Sequence, residues 1–124
     1  MTLTALALLN SMVVEHKSPR HIFRRRAVMT SDTVTLHVRT LDVSEHGFGV
    51  IAKEPVRVGK TCSLVLNALV GEHVIQQTFA CEIVYCILTG VDGFRIGLNI
   101  NNAAIDSSKQ HLRKIISSCS SPFS

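Results

Sequence analysis

Alternating apolar and polar residues mark most of the chain after residue 26 as β-strands. The clearest case runs from Phe94 to Ile100, where apolar side chains occupy every second position. Such period-two alternation is typical of strands with one buried face. The segments with this pattern are 27–29, 34–43, 48–51, 62–66, 74–87 and 94–100, and the predicted loops include 53–59 and 67–71. Because turn residues separate these short segments, the pattern predicts a small antiparallel barrel.

The alternation changes phase inside the second segment. Apolar residues fall on even positions up to Val38, but on odd positions from Leu41 onward. A phase break at 39–40 predicts a bulge or a bend in this strand. We expect that bulge to redirect the side chains of Asp42 and Ser44.

A helical period replaces the strand pattern near the carboxyl end. The apolar residues on one helical face are Ile105, Leu112, Ile115 and Ile116. Asn102 or Asp106 can cap the amino end of this helix, and Arg113 and Lys114 suit the dipole at its carboxyl end. We therefore expect an all-β fold with one terminal helix on the outside of the barrel.

The length of 124 residues suits a single domain. We expect residues 1–17 to form an apolar N-terminal extension with roughly helical spacing, residues 18–118 to form the domain, and residues 119–124 to form a frayed tail. The extension has no basic start and no convincing cleavage site, and it is shorter than the about 20 apolar residues that a bilayer span needs. Neither secretion nor a membrane span is expected.

The cysteines and histidines give no sign of a metal site. The cysteines are Cys62, Cys81, Cys86 and Cys119, and no two of them have C-x-x-C spacing. None of the six histidines forms an i, i+4 pair near a carboxylate. We expect buried free thiols, no bound metal and a reducing cytoplasm.

The positive charge of the chain is concentrated in ten residues. The basic residues of this cluster are Lys17, Arg20, Arg24, Arg25 and Arg26, and no acid occurs between residues 17 and 26. The rest of the chain has eight Lys or Arg residues and nine Asp or Glu residues. Since the formal net charge is +4, the cluster accounts for all of it. Such a cluster is either a site for an anion or a solvated tail.

Two short motifs favour the anion site. Arg20-x-x-x-Arg24 is followed eighteen residues later by Asp42-x-Ser44-x-x-Gly47. In this order, at the start of a small barrel, the motifs resemble those of the PilZ family of bacterial cyclic di-GMP receptors. The resemblance extends over roughly residues 18–116. It implies a six-stranded barrel with a C-terminal helix, and a ligand site made of Arg20, Arg24, Arg25, Asp42, Ser44 and Gly47.

The ligand explains these residue types. Cyclic di-GMP has two phosphodiesters and two guanines, and arginine pairs bidentately with phosphate or with the N7 and O6 edge of guanine. The Asp42 carboxylate can accept from guanine N1–H and N2–H, and Ser44 can donate to a phosphate oxygen. Gly47 allows the backbone to approach the ligand closely.

The basic segment from residue 18 to residue 26 is expected to be mobile before binding, because its like charges repel each other. We expect it to fold over the ligand and to signal occupancy to an unidentified effector protein. Arg25 and Arg26 could help to neutralise the added charge of a second ligand molecule. Whether one or two ligands bind, and whether the protein is a monomer or a dimer, stays open.

Other functions are weaker candidates. A degenerate PilZ-like module for protein interaction would not need both motifs intact. A nucleic-acid-binding barrel would need stacking aromatics, but aromatic content is only 5%, so no DNA partner is expected. No enzyme is predicted, because no nucleophile with a neighbouring base and no Gly-rich phosphate loop is evident. Arg39 and Arg95 are expected to lie outside the site, and His46 is expected to be exposed.

Overall fold

The computed structural model describes residues 19–70, 72–101 and 106–119. The predicted extension at 1–17, the candidate cap Asn102, Ile105 and the tail beyond residue 119 lie outside this part. The elements are β1 (His21–Ile22), β2 (Arg26–Thr30), β3 (Thr35–Ser44), β4 (Gly47–Ala52), β5 (Thr61–Val70), β6 (His73–Leu88), β7 (Phe94–Ile100) and α1 (Asp106–Ser117), with a 3₁₀ turn (Gly90–Asp92) before β7.

Six of these strands close into an antiparallel barrel. The pairing order is β3, β2, β5, β6, β7 and β4, and β4 pairs back with β3. The two-residue β1 pairs with the same edge of β3 as β2 does. Ile22 of β1 pairs with Asp42, and Arg26 of β2 pairs with Arg39. Each of the six strands pairs with two neighbours over part of its length, and residues 73–80 of β6 extend past β7. The predicted six-stranded barrel with a terminal helix is therefore confirmed.

The barrel interior is filled by aliphatic side chains and three phenylalanines. The ring of Phe48 lies 5.1 Å from that of Phe79 and 6.3 Å from that of Phe23, measured between centroids. Burial of such a side chain contributes about 1.5–3 kcal/mol. Leu112 and Ile115 of α1 are buried as well, so the helix covers part of the barrel with its predicted apolar face.

The predicted bulge in β3 is present. The register of β3 against β4 shifts between Thr40 and Asp42, which leaves Leu41 as the extra residue. Thr40 points into the core and is fully buried, whereas Asp42 lies beside Gly49 on the outer face of the barrel. The bulge thus places the motif carboxylate outside the core.

The hairpin between β5 and β6 is longer than the sequence pattern predicts. The segment 67–71 was expected to be a loop, but Asn67 pairs with Gln76 and the ladder continues to Val70. Asn67 does not end the strand, because backbone pairing does not depend on an apolar side chain, and Ala68, Leu69 and Val70 continue the ladder. Ile75 is 44% exposed, against the expectation of a buried face, because β6 pairs with β7 only from Cys81 onward.

Candidate ligand-binding site

Asp42 is a buried carboxylate that two arginines hold on the outer face of the barrel. Its residue is only 3% exposed. Its Oδ1 atom accepts from Nη1 of Arg20 at 2.8 Å, and its Oδ2 atom accepts from Nη2 of Arg95 at 2.6 Å. Because one negative charge lies between two positive charges, this cluster has an excess positive charge. It can attract an anion without leaving the carboxylate unpaired.

A row of residues across five strands makes room for this cluster. The row consists of Ile22, Asp42, Gly49, Gly97 and Tyr85, each paired with the next across neighbouring strands. A Cβ atom at Gly49 would lie 2.7 Å from Oδ1 of Asp42, and one at Gly97 would overlap the ring of Tyr85. The two glycines therefore let a carboxylate and an aromatic ring lie against the sheet.

Arg95 connects two members of this row, Asp42 and Tyr85. Its Nε atom donates to the Tyr85 hydroxyl at 3.2 Å, while its Nη2 atom donates to Oδ2 of Asp42. Burial alone would lower the pKa of Arg95, but the hydrogen bonds and charges of Tyr85 and Asp42 raise it above its usual value. The sequence had placed Arg95 outside the site, yet its guanidinium contacts the motif carboxylate. One signal was available: Arg95 and Gly97 share one face of the last strand.

The arginine segment is attached to β3 through Thr40. The Oγ1 atom of Thr40 donates to the Phe23 carbonyl at 2.6 Å and accepts from the Arg25 amide at 2.8 Å. The Phe23 side chain is only 8% exposed and belongs to the core. A buried ring and a buried hydroxyl therefore attach residues 20–26 to the barrel, and the mobility of this segment before binding stays a prediction.

Arg24 and Arg25 are exposed on this segment, and among the described residues the arginines that bond Asp42 are Arg20 and Arg95 instead. The Arg25 guanidinium lies 5.5 Å from the Phe23 ring centroid and donates to the Arg24 carbonyl at 3.2 Å. Arg24 instead lines a cleft on the outer face. Of the three predicted arginines, Arg20 contacts the second motif directly, through its hydrogen bond with Asp42.

Ser44 and Gly47 lie at the turn between β3 and β4, where they pair with each other. The Oγ atom of Ser44 accepts from the His46 amide at 3.2 Å. A Cβ atom at Gly47 would overlap the carbonyl oxygen of Leu98, so only glycine allows this close approach of β4 to β7. Both residues thus have a structural role, and their pair lies two register positions beyond the pair of Asp42 and Gly49.

Residues 19–70, 72–101 and 106–119 contain no group of three or more His, Cys, Asp or Glu side chains that could hold an ion. A bilayer-spanning helix is also absent from these residues.

Comparison with known proteins gives a family and a fold. The sequence profile of the PilZ domain matches residues 16–118. No match was found among curated protein sequences. One similar structure is the PilZ domain of YcgR from Escherichia coli with c-di-GMP, at 18% identity and a TM-score of 0.60, covering 82% of this chain and 88% of that one.

A second similar structure is the Bacillus subtilis inhibitor of motility MotI/DgrA. It has 12% identity and a TM-score of 0.66, and the match covers 82% of this chain. The match spans about half of that protein, 49% of its length. At these identities the likeness supports the fold of this chain.

Proposed function

Because the chain belongs to the PilZ domain family, we propose that it is a cytoplasmic receptor for cyclic di-GMP that regulates a partner protein. The observation that carries this proposal is the contact between Arg20 and Asp42, at 2.8 Å. It joins the two motifs, 22 residues apart in the chain, on one surface of the barrel. The fold it shares with the YcgR domain, whose structure contains c-di-GMP, supports the same ligand.

Binding requires an exchange of partners at Asp42. Both carboxylate oxygens are occupied by arginines, so guanine N1–H and N2–H must replace one of them. Arg20 is the arginine to move, since it belongs to the segment outside the closed barrel, whereas Tyr85 also holds Arg95. The released guanidinium then pairs with a ligand phosphate, and the total number of charge pairs is kept.

The remaining motif residues act around this exchange. Arg24 and Arg25 are exposed, and both can turn toward the phosphates or stack on a guanine face. Ser44 can keep its hydrogen bond in the turn while it binds the ligand. Its oxygen accepts from the His46 amide, and its hydroxyl proton can donate to a phosphate. Gly47 keeps the strand close to β7 beneath the ligand.

The signal to a partner passes through the arginine segment. Since Phe23 and Thr40 attach this segment to the core, a shift of Arg20 changes the outer surface there. The charge of Arg25 reaches the Cys119 thiol at the end of α1: burial raises the pKa of that thiol and Arg25 lowers it in part. The regulated partner acts in motility, exopolysaccharide production or biofilm formation.

Calorimetric titration with cyclic di-GMP tests this proposal. We expect micromolar or tighter binding, and a loss of about ten- to a hundredfold for Arg20→Ala, Arg24→Ala or Asp42→Ala, since a bidentate arginine contact is worth about 1–3 kcal/mol. Arg57→Ala is the matched control, because Arg57 is exposed in the loop after β4. No binding heat at low and moderate salt would reject the receptor. Competition by oligonucleotides with a steep salt dependence would instead favour a nucleic-acid-binding protein.

A further inference from the structure

A cationic cleft lies next to the Asp42 row on the outer face of the barrel. Its volume is about 780 Å³, within the usual range for small-ligand sites. Its cationic lining residues are Arg24, Arg26, Arg39 and Lys53, and Asp92 is the acid that lines it. Apolar side chains, including those of Leu41 and Ile51, form the floor. The cleft has a strong excess of positive charge.

Two of these arginines face each other across strands. Arg26 of β2 pairs directly with Arg39 of β3, and both side chains are exposed. Like charges at directly opposed positions destabilise an antiparallel pair. The described residues offer neither guanidinium an ion pair or a hydrogen bond, in contrast to Arg20 and Arg95, which share Asp42. The fold therefore keeps an unfavourable pair that an anion would relieve.

We propose that this cleft is a phosphate-binding subsite. A carboxylate presents one edge and satisfies one guanidinium fork, whereas a phosphate group presents oxygens in several directions. The cations come from four separate places: the segment before β2, β2 itself, β3 and the end of β4. A tetrahedral anion is the group that such a convergence fits.

The source of the phosphate is the dinucleotide itself, and this step rests on the proposed function. Arg39 pairs with Ile51 and Asp42 pairs with Gly49, so the two positions are neighbouring rows of one sheet face. Rows on the same face lie about 7 Å apart. A ligand that places guanine on Asp42 can therefore place one of its phosphodiesters on Arg39, while Arg20 binds elsewhere on the ligand.

The variant Arg39→Gln tests the subsite through two readouts with opposite signs. In phosphate-free buffer we expect its melting temperature to rise, because the like-charge pair is removed. Its affinity for cyclic di-GMP should fall about tenfold. Arg57→Gln, an exposed arginine outside the cleft, should change neither. A fall in melting temperature or an unchanged affinity in Arg39→Gln, with normal wild-type binding, overturns the subsite and leaves the receptor intact.

Inorganic pyrophosphate gives a test that does not need the dinucleotide. It should raise the melting temperature of the wild type and of Arg57→Gln, but not that of Arg39→Gln. If wild type binds no cyclic di-GMP, the proposed receptor fails, and the pyrophosphate shift alone then supports or overturns the cleft as a phosphate site. If pyrophosphate shifts the wild type and Arg39→Gln equally, the cleft is not the site and the proposal is wrong.

Discussion

The Nη2 atom of Arg95 lies 2.6 Å from Oδ2 of Asp42, although 53 residues separate them in the chain. Asp42 belongs to β3 and Arg95 to β7, and β4 lies between these strands. The contact crosses β4 because Gly49 has no side chain at the point where the carboxylate lies. The position of Asp42 therefore depends on a residue outside both motifs.

Replacing Arg95 should affect stability and ligand binding together. Arg95→Ala removes one partner of a buried carboxylate. We expect a loss of about 1 kcal/mol in the free energy of unfolding, below the about 1.5–3 kcal/mol typical of hydrogen bonds to charged groups, because the arginine side chain is partly exposed. Cyclic di-GMP should bind more weakly, since Asp42 is no longer held in place. Urea unfolding and calorimetry measure the two effects.

Arg95→Lys and Tyr85→Phe serve as graded controls for that prediction. The lysine keeps the charge but cannot hold Asp42 and the Tyr85 hydroxyl at once, so it should bind with intermediate affinity. Tyr85→Phe removes only the hydroxyl that accepts from Nε of Arg95, and its effect should be smaller. Equal affinities for wild type and Arg95→Ala would contradict a role for this arginine.

Gly97→Ala tests whether Tyr85 needs to lie against the sheet. The added methyl group would overlap the tyrosine ring, and overpacking of this kind usually costs about 1–3 kcal/mol. In the double variant Gly97→Ala with Tyr85→Ala the ring is absent, so the alanine should cost much less than it does in the wild type. A double-mutant cycle by chemical denaturation gives the coupling. Additive effects of the two changes would show that the ring and Gly97 are independent.

Local patterns predicted the barrel because each strand carries its own alternation, and a closed sheet with one buried face requires that alternation. The motifs likewise identified Arg20 and Asp42 as neighbours. Arg95 was missed because its place beside Asp42 depends on the register of β7 against β4 and of β4 against β3. The sequence shows that Arg95 and Gly97 share a face of β7, but it does not show how β7 is aligned with its neighbours.

The attachment of the arginine segment was missed for a similar reason. The sequence correctly identified Thr40 as a point where the alternation breaks. Its hydroxyl finds hydrogen-bond partners there because β1 and β2 are separate strands. Between them Phe23 and Arg25 leave backbone groups without ladder partners, and Thr40 supplies the missing bonds. The polar residue at an inward position was a signal of this interruption.

Thr40→Val should loosen the arginine segment while keeping the shape of the side chain. It leaves the Phe23 carbonyl and the Arg25 amide without the Thr40 hydroxyl, and an unsatisfied buried group costs about 1–3 kcal/mol. The Arg25 amide should then exchange faster with deuterium, because exchange requires only local opening. Thr40→Ser keeps the hydroxyl and should protect that amide nearly as well as the wild type. If both variants exchange at the same rate, the hydroxyl does not hold the segment.

The two buried thiols of the core should make the protein sensitive to alkaline pH. Cys62 and Cys81 are free thiols at directly opposed positions of β5 and β6. Burial raises the pKa of Cys62 from 9.0 to about 11. Burial, and after it the charge of Cys62, raises the pKa of Cys81 further. Between pH 9 and 11 the unfolded chain loses these protons while the folded chain keeps them. Because the folded state binds more protons, stability is intact below pH 9 and falls by about 1.4 kcal/mol per pH unit and thiol above it.

Urea unfolding at several pH values between 8 and 10.5, with a reducing agent present, measures this slope. Cys62→Ala should make the fall of the unfolding free energy with pH less steep by the contribution of one thiol, about 1.4 kcal/mol per pH unit, whatever the other groups contribute. Ser63→Ala is the matched control, since Ser63 lies next to Cys62 on β5 but has no group that titrates in this range, and its slope should equal that of the wild type. If Cys62→Ala also keeps the wild-type slope, Cys62 already ionises in the folded state, and its burial does not control its proton.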